Sequence, residues 1–138
     1  MPGLSNFAQA KVLEYLIRNA PLYCALFVRA PDSGDGSGAV EVTGGGYDRL
    51  PMGTAGQTGV AWSPTQGGSP TTVTNAEDIA WKPASGDWSD QQPVAGWGLY
   101  DAPSGGNLVW SGVLTKPKIV YEGDTFMIGK RLLILTIA

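Results

Sequence analysis

Histidine is absent from the 138 residues, and cysteine occurs once, at Cys24. The commonest general base and metal ligand is therefore missing, which excludes Ser-His-Asp and Cys-His catalysis and metal sites built on histidine. A single cysteine excludes an intrachain disulfide and any zinc or iron–sulfur site that needs several thiolates. Because Cys24 lies in an apolar segment, it is predicted to be a small buried hydrophobe. No cofactor is expected.

Charge is also scarce, at 15% of the chain, whereas an average soluble domain has about 25%. A surface so poor in charge suggests that other protein covers much of it. The net charge of −3 provides no basic face for nucleic acid, which is not an expected partner. The longest apolar runs, at 22–28 and 132–135, are too short to span a bilayer, and the N-terminus lacks signal-peptide features. We therefore expect a soluble protein, made in the cytoplasm, without a membrane partner.

Glycine and proline are abundant instead, with 20 and 10 residues, and they separate many short apolar segments. The spacing of apolar residues predicts one amphipathic helix at about 5–20, capped by Ser5 or Asn6 and packed through Leu13, Leu16 and Ile17 on a sheet containing Leu26. The rest, at about 22–138, predicts short strands, including a hairpin around the pair at 105–106. The predicted fold is a single mainly β domain, 1–138: an antiparallel β-sandwich or barrel with one N-terminal amphipathic helix and long Gly-rich loops. Strands are expected at 22–29, 39–42, 47–50, 71–74, 78–81, 94–101, 107–114, 119–121, 125–128 and 132–137.

Acidic residues offer two kinds of candidate site, and both are better explained as ordinary turns. The segment 32–38 contains Asp32 and Asp35 among serines and glycines, which is faintly similar to a calcium loop, but it lacks the later bidentate acid of the EF-hand pattern. Carboxylate pairs that could cleave a glycoside occur at 77–78, 87/90 and 122/124, all in predicted loops or turns. We therefore predict no metal site and no enzyme.

Tryptophan is the most informative residue type, with five copies. Trp97 and Trp110 lie on the two arms of the predicted hairpin and are expected to pack in the core. Trp62 and Trp88 lie in Gly- and Pro-rich loops, where an exposed indole is typical of a protein interface and also of a sugar-binding platform. The predicted partner interface consists of Trp62, Trp88, Tyr47 and Arg49.

Several motifs follow one another in a distinctive order: the N-terminal GLSNFA helix, the strand LYCALF, the stretch EVTGGGYDR, the hairpin WGLYDAPSGGNLVW and the turn EGD. Together they resemble a family of small virion proteins of tailed bacteriophages, usually labelled tail fibre proteins, with related small β-proteins that act as capsid cement. The resemblance implies a virion structural protein, located in the virion after synthesis in the host bacterium.

Two functions are compatible with this resemblance. The first is a capsid cement or decoration protein that binds the major capsid protein and copies of itself, as a trimer, and stabilises the lattice by linkage. The second is a tail-fibre or tail-tip component whose loop aromatics contact a host glycan, with weak sites strengthened by multivalency.

Overall fold

The computed structural model describes residues 3–18, 21–53, 61–66 and 71–137. Its helix, α1, covers Asn6–Arg18. Ser5 caps the N-terminus, since its side-chain oxygen accepts a hydrogen bond from the Ala8 amide at 3.1 Å. The predicted last residues of the helix, 19 and 20, lie outside the described residues, as does most of the predicted loop at 53–70.

The main sheet has five strands, and its centre is the predicted buried strand β1, Leu22–Arg29. On one side, β1 pairs with β2 (Val40–Glu41) and β3 (Leu50–Met52). On the other side it pairs with β6 (Val94–Tyr100), which in turn pairs with β7 (Leu108–Lys118). All pairings are antiparallel. The predicted hairpin is confirmed as β6 and β7.

Two smaller antiparallel pairs complete the fold. One joins β4 (Thr71–Thr74) to β9 (Ile134–Ile137), and the other joins β5 (Ile79–Ala80) to β8 (Met127–Ile128). The prediction of a mainly β, antiparallel protein with one N-terminal helix is confirmed, although the described sheets do not close into a barrel. The predicted strand at 119–121 is wrong, because this segment lies outside any strand and its Val120 carbonyl accepts a hydrogen bond from the Trp88 amide.

The core lies between one face of the main sheet, the helix and the two small sheets. Leu13 and Ile17 of α1 share this core with Leu26 of β1, as predicted, whereas Leu16, which was also expected there, is half-buried. The main strand contact of the helix is nevertheless β4, where the Thr71 hydroxyl bonds the Gln9 side chain at 3.2 Å. Phe7 and Val12 are exposed, because helical spacing places both about 100° or more around the axis of α1 from Leu13.

Glycines in β6 and β7 allow large rings to lie flat against the sheet. Gly112 is opposite Trp97 in the register, and a Cβ built on it would lie 2.6 Å from the indole. Gly98 likewise receives the Phe27 ring, since a Cβ there would lie 2.6 Å from it. Trp97 and Trp110 are therefore diagonal neighbours on one face, with Trp97 buried and Trp110 half-buried.

Candidate interaction surface

The expectation that Trp62 and Trp88 are exposed is wrong. Trp88 is 1% exposed and Trp62 is 6% exposed, and both belong to the hydrophobic core. Trp62 pairs with Asn75 in an isolated β-bridge beside β4, so its loop is bonded to a strand. These two side chains are therefore too deeply buried to form an exposed interface.

Trp88 is buried because the glycine triplet at 44–46 makes room for it. A Cβ on Gly45 would lie 2.5 Å from Cδ1 of the indole, and the Gly45 φ of 58° is one that only glycine adopts freely. The indole nitrogen donates to the Gly45 carbonyl at 3.2 Å. Tyr47 and Phe126 complete the surrounding aromatic cluster, with ring centroids 5.4 and 6.4 Å from Trp88. The triplet was the sequence signal for this packing.

Tyr47 and Arg49 converge on Glu41, inside the chain. The Arg49 guanidinium binds the carboxylate through two nitrogens, at 2.9 and 3.0 Å, and the Tyr47 hydroxyl donates to it at 2.6 Å. The same hydroxyl accepts a hydrogen bond from the Leu26 amide at 2.9 Å. Burial and the bond to Glu41 raise the pKa of Tyr47 far above its usual value, and the bond to Glu41 raises the pKa of Arg49.

Arg49 also fastens the β6–β7 turn to the rest of the sheet. Its Nη1 donates to the carbonyls of Ala102 and Gly105, at 3.0 and 2.8 Å. Its guanidinium carbon lies 3.8 Å from the centre of the Tyr100 ring, a cation–π contact. Four of the five N–H donors of this side chain thus bond to internal partners, and only 8% of the side chain is exposed. Tyr47 and Arg49 form an internal brace, and the predicted interface of four residues is not one exposed surface.

The segment 32–38 is a self-contained turn, as predicted. Hydrogen bonds from the Ser33 side chain and from Ser37 lower the pKa of Asp35 to about 2. Asp32 forms an exposed ion pair with Arg29 at 3.1 Å. No group of three or more metal-ligating side chains occurs within the described ranges, this loop included.

The three carboxylate pairs also hold turns together. Asp87 accepts a hydrogen bond from the Glu122 amide at 2.9 Å, and Asp124 accepts one from the Tyr121 amide at 3.0 Å. Asp78 accepts one from the Lys130 amide at 2.7 Å. Each pair thus contains one acid that accepts a hydrogen bond from a backbone amide, within its own turn at Asp124 and from a distant segment at Asp78 and Asp87.

Exposed apolar side chains surround a groove between β7 and the segment 119–132. Its volume is about 510 Å³, and its floor includes the buried Trp97 and Phe126. Its rim carries four exposed apolar side chains, which are Val113, Ile119, Met127 and Leu132. Lys116 and Lys118 lie on the same rim. This surface was missed from the sequence, because its members come from separate short segments.

Asn75 is a second residue that the sequence did not single out. Its side chain is fully buried, donates to the carbonyls of Glu77 and Gly129, and accepts from the Leu133 amide at 3.0 Å. The backbone carbonyl of Asn75 accepts a hydrogen bond from the Arg131 amide. Asn75 therefore fixes the turn at 129–132 that closes one end of the groove.

The outer face of α1, together with Leu4 just before the helix, is a separate apolar surface. Leu4, Phe7, Val12 and Tyr15 are exposed there, and Lys11 lies 5.4 Å from the centre of the Phe7 ring. A helix that is apolar on both sides is typical of one that contacts other protein.

Together, these features define a small β protein whose polar clusters stabilise its own turns and whose exposed apolar side chains are available for contact with other molecules. The chain belongs to the family described as podophage GP4 fiber I protein gp80, which it matches over residues 3–136. No curated protein matches the sequence. The family confirms the resemblance to phage fibre-type virion proteins and indicates a structural role in the virion. Among the described residues, no helix is long and apolar enough to cross a membrane.

Proposed function

We propose that this protein is a non-catalytic structural subunit of a podophage fibre, which joins neighbouring protein through exposed apolar surface. The family match over residues 3–136 is the observation that carries this proposal, since the family is described as a fibre protein. It favours the fibre over the capsid-cement role. Binding to the major capsid protein is therefore the alternative that the experiment below tests.

The position of the exposed apolar residues supports a role in assembly. The groove rim and the outer face of α1 place eight large apolar side chains in solvent, in a chain with only 21 charged residues, 9 basic and 12 acidic. Such surface is costly to leave uncovered in a small domain. It is expected to be covered in the assembled particle.

Binding of a host glycan by this chain has less support. The tryptophans that suggested a sugar platform, Trp62 and Trp88, are buried in the core. A glycan-binding fibre component would need another aromatic surface, and the exposed aromatic side chains among the described residues are Phe7, Tyr15 and Tyr121. The structural role requires no such platform.

The location of the protein in the particle tests the proposal. Purified virions are labelled with gold-conjugated antibody against this chain, and its copy number is measured by quantitative mass spectrometry against the major capsid protein. We expect label at the fibres and a copy number far below that of the capsid protein. Label over the whole head, with a copy number close to that of the capsid protein, would establish the cement role instead. Particles that lack the gene provide the labelling control.

A further inference from the structure

β7 is an edge strand whose outer side has no partner in the described chain. It pairs with β6 alone, and apart from that pairing no hydrogen bond joins residues 108–118 to another described residue. A strand of 11 residues thus presents a row of free backbone donors and acceptors. Only another strand satisfies such a row fully.

A short stretch of this edge lacks the usual protection. Residues 108–115 carry no charge, and Val113 is 73% exposed. The register of β7 is irregular on both sides of 110–113: two residues of β7 match one of β6 between Leu108 and Trp110, and five match two between Val113 and Lys118. Pro117 and the lysines 116 and 118 also lie beyond Val113. The regular, uncharged edge is therefore 110–113.

We propose that this edge pairs antiparallel with the same edge of a second copy of the chain, around a two-fold axis near Ser111. Such pairing would join the two five-stranded sheets into one and place Gly112 beside Trp110 of the second copy. This proposal rests on the fibre role proposed above and extends it, because it names a second copy of the chain as a binding partner.

The charges at the two ends of β7 favour a second copy in the antiparallel direction. The beginning is acidic: the Asp101 carboxylate accepts hydrogen bonds from Asn107 at 2.7 and 3.0 Å, and these bonds lower its pKa. Asp35 lies in the loop whose Gly36 approaches Leu108. The other end is basic, with Lys116 and Lys118, and neither forms an ion pair within the described part of the chain.

Antiparallel self-pairing therefore brings the acidic end of each copy to the basic end of the other, twice. Parallel pairing would place like charges together, which disfavours association. A two-fold contact is also self-complementary, so it closes on two copies. The trimer expected from the sequence is not what this edge would build.

Sedimentation velocity on the isolated full chain, over a range of concentrations, tests the proposal. We expect a monomer–dimer equilibrium. Val113→Lys should weaken the dimer by about tenfold or more, because it places two like charges at the pairing edge. Val40→Lys is the matched control, since Val40 is exposed on β2 at the opposite edge of the same sheet. It should dimerise like the wild type.

Cysteine cross-linking provides a second measurement that tolerates a weak dimer. Cys24 is buried, so a single new thiol reports the contact. Ser111→Cys should form a disulfide-linked dimer much faster than Val40→Cys. A monomer at every concentration with equal cross-linking of the two variants, a trimer, or a dimer insensitive to Val113→Lys would overturn the proposal. The virion labelling above is independent of these results, so the fibre role and the self-pairing fail separately.

Discussion

Polar groups are paired within the chain in one described region of this protein and have no described partner in another. In the brace formed by Glu41, Tyr47 and Arg49, the three side chains bond to one another, and those of Tyr47 and Arg49 also bond to distant parts of the chain. Trp88 packs beside Tyr47. Along the outer edge of β7, the backbone groups have no described partner, and Val113 faces solvent. The first region stabilises the monomer, whereas the second has backbone donors and acceptors that are free to pair with another strand. The aromatic and charged residues of the brace are thus internal, although their residue types suggested an interface.

The largest effect is expected where the brace meets the core. Trp88→Ala should lower the free energy of unfolding by about 4 kcal/mol, because a fully buried indole leaves a cavity beneath the glycine triplet. Urea denaturation measures the change. Trp110→Ala is the control, since this half-buried side chain should cost clearly less. Equal losses, or a small loss at Trp88, would contradict its place in the core.

The two ion pairs found among the described residues allow the brace to be compared with an ordinary surface contact. Arg49→Ala should cost about 3 kcal/mol, because it leaves the Glu41 carboxylate half-buried and frees the β6–β7 turn. Arg29→Ala removes an exposed pair with Asp32 and should cost less than about 0.5 kcal/mol. Thermal denaturation of both variants measures this difference in stability. Similar melting temperatures would show that the brace contributes no more than a surface pair.

Removing a single oxygen from the brace should have an intermediate effect. Tyr47→Phe leaves the Leu26 amide without its acceptor and should cost about 2 kcal/mol in the free energy of unfolding. Tyr23→Phe is the matched control, because no bond to its hydroxyl occurs among the described residues. It should unfold at nearly the wild-type denaturant concentration. A loss as large as that of Tyr47→Phe would show that the brace bond is not the cause.

The same tyrosine makes a prediction about alkaline pH. The pKa of Tyr47 is raised in the folded state, so above the usual value near 10 the unfolded chain loses a proton that the folded chain keeps. The stabilising contribution is complete below pH 10 and is lost as the pH rises beyond it. The free energy of unfolding should therefore decrease above pH 10, more steeply in the wild type than in Tyr47→Phe. Burial of Cys24 raises its pKa as well, and its part of the decrease is common to both proteins.

Much of the fold was predictable because its signals are local. Apolar residues in an unbroken run predicted β1, the Gly-Gly pair predicted the β6–β7 hairpin, and Ser5 predicted the start of α1. The surface was not predictable in the same way. Whether a loop tryptophan such as Trp88 is buried depends on contacts with segments more than 40 residues away, which no local pattern records. The free edge of β7 likewise follows from sheet order, which requires the whole topology.

The smallest effect on folding is expected at the open edge, which is where the two regions differ most. Val113→Lys should change the free energy of unfolding by less than about 0.5 kcal/mol, measured at protein concentrations low enough to keep the chain monomeric. The reason is that Val113 is 73% exposed, so replacing it removes little buried area. Phe7→Ser, on the outer face of α1 and 74% exposed, should be equally mild. A loss of several kcal/mol at Val113 would mean that this side chain supports the monomer, and the edge could not then be reserved for a second copy.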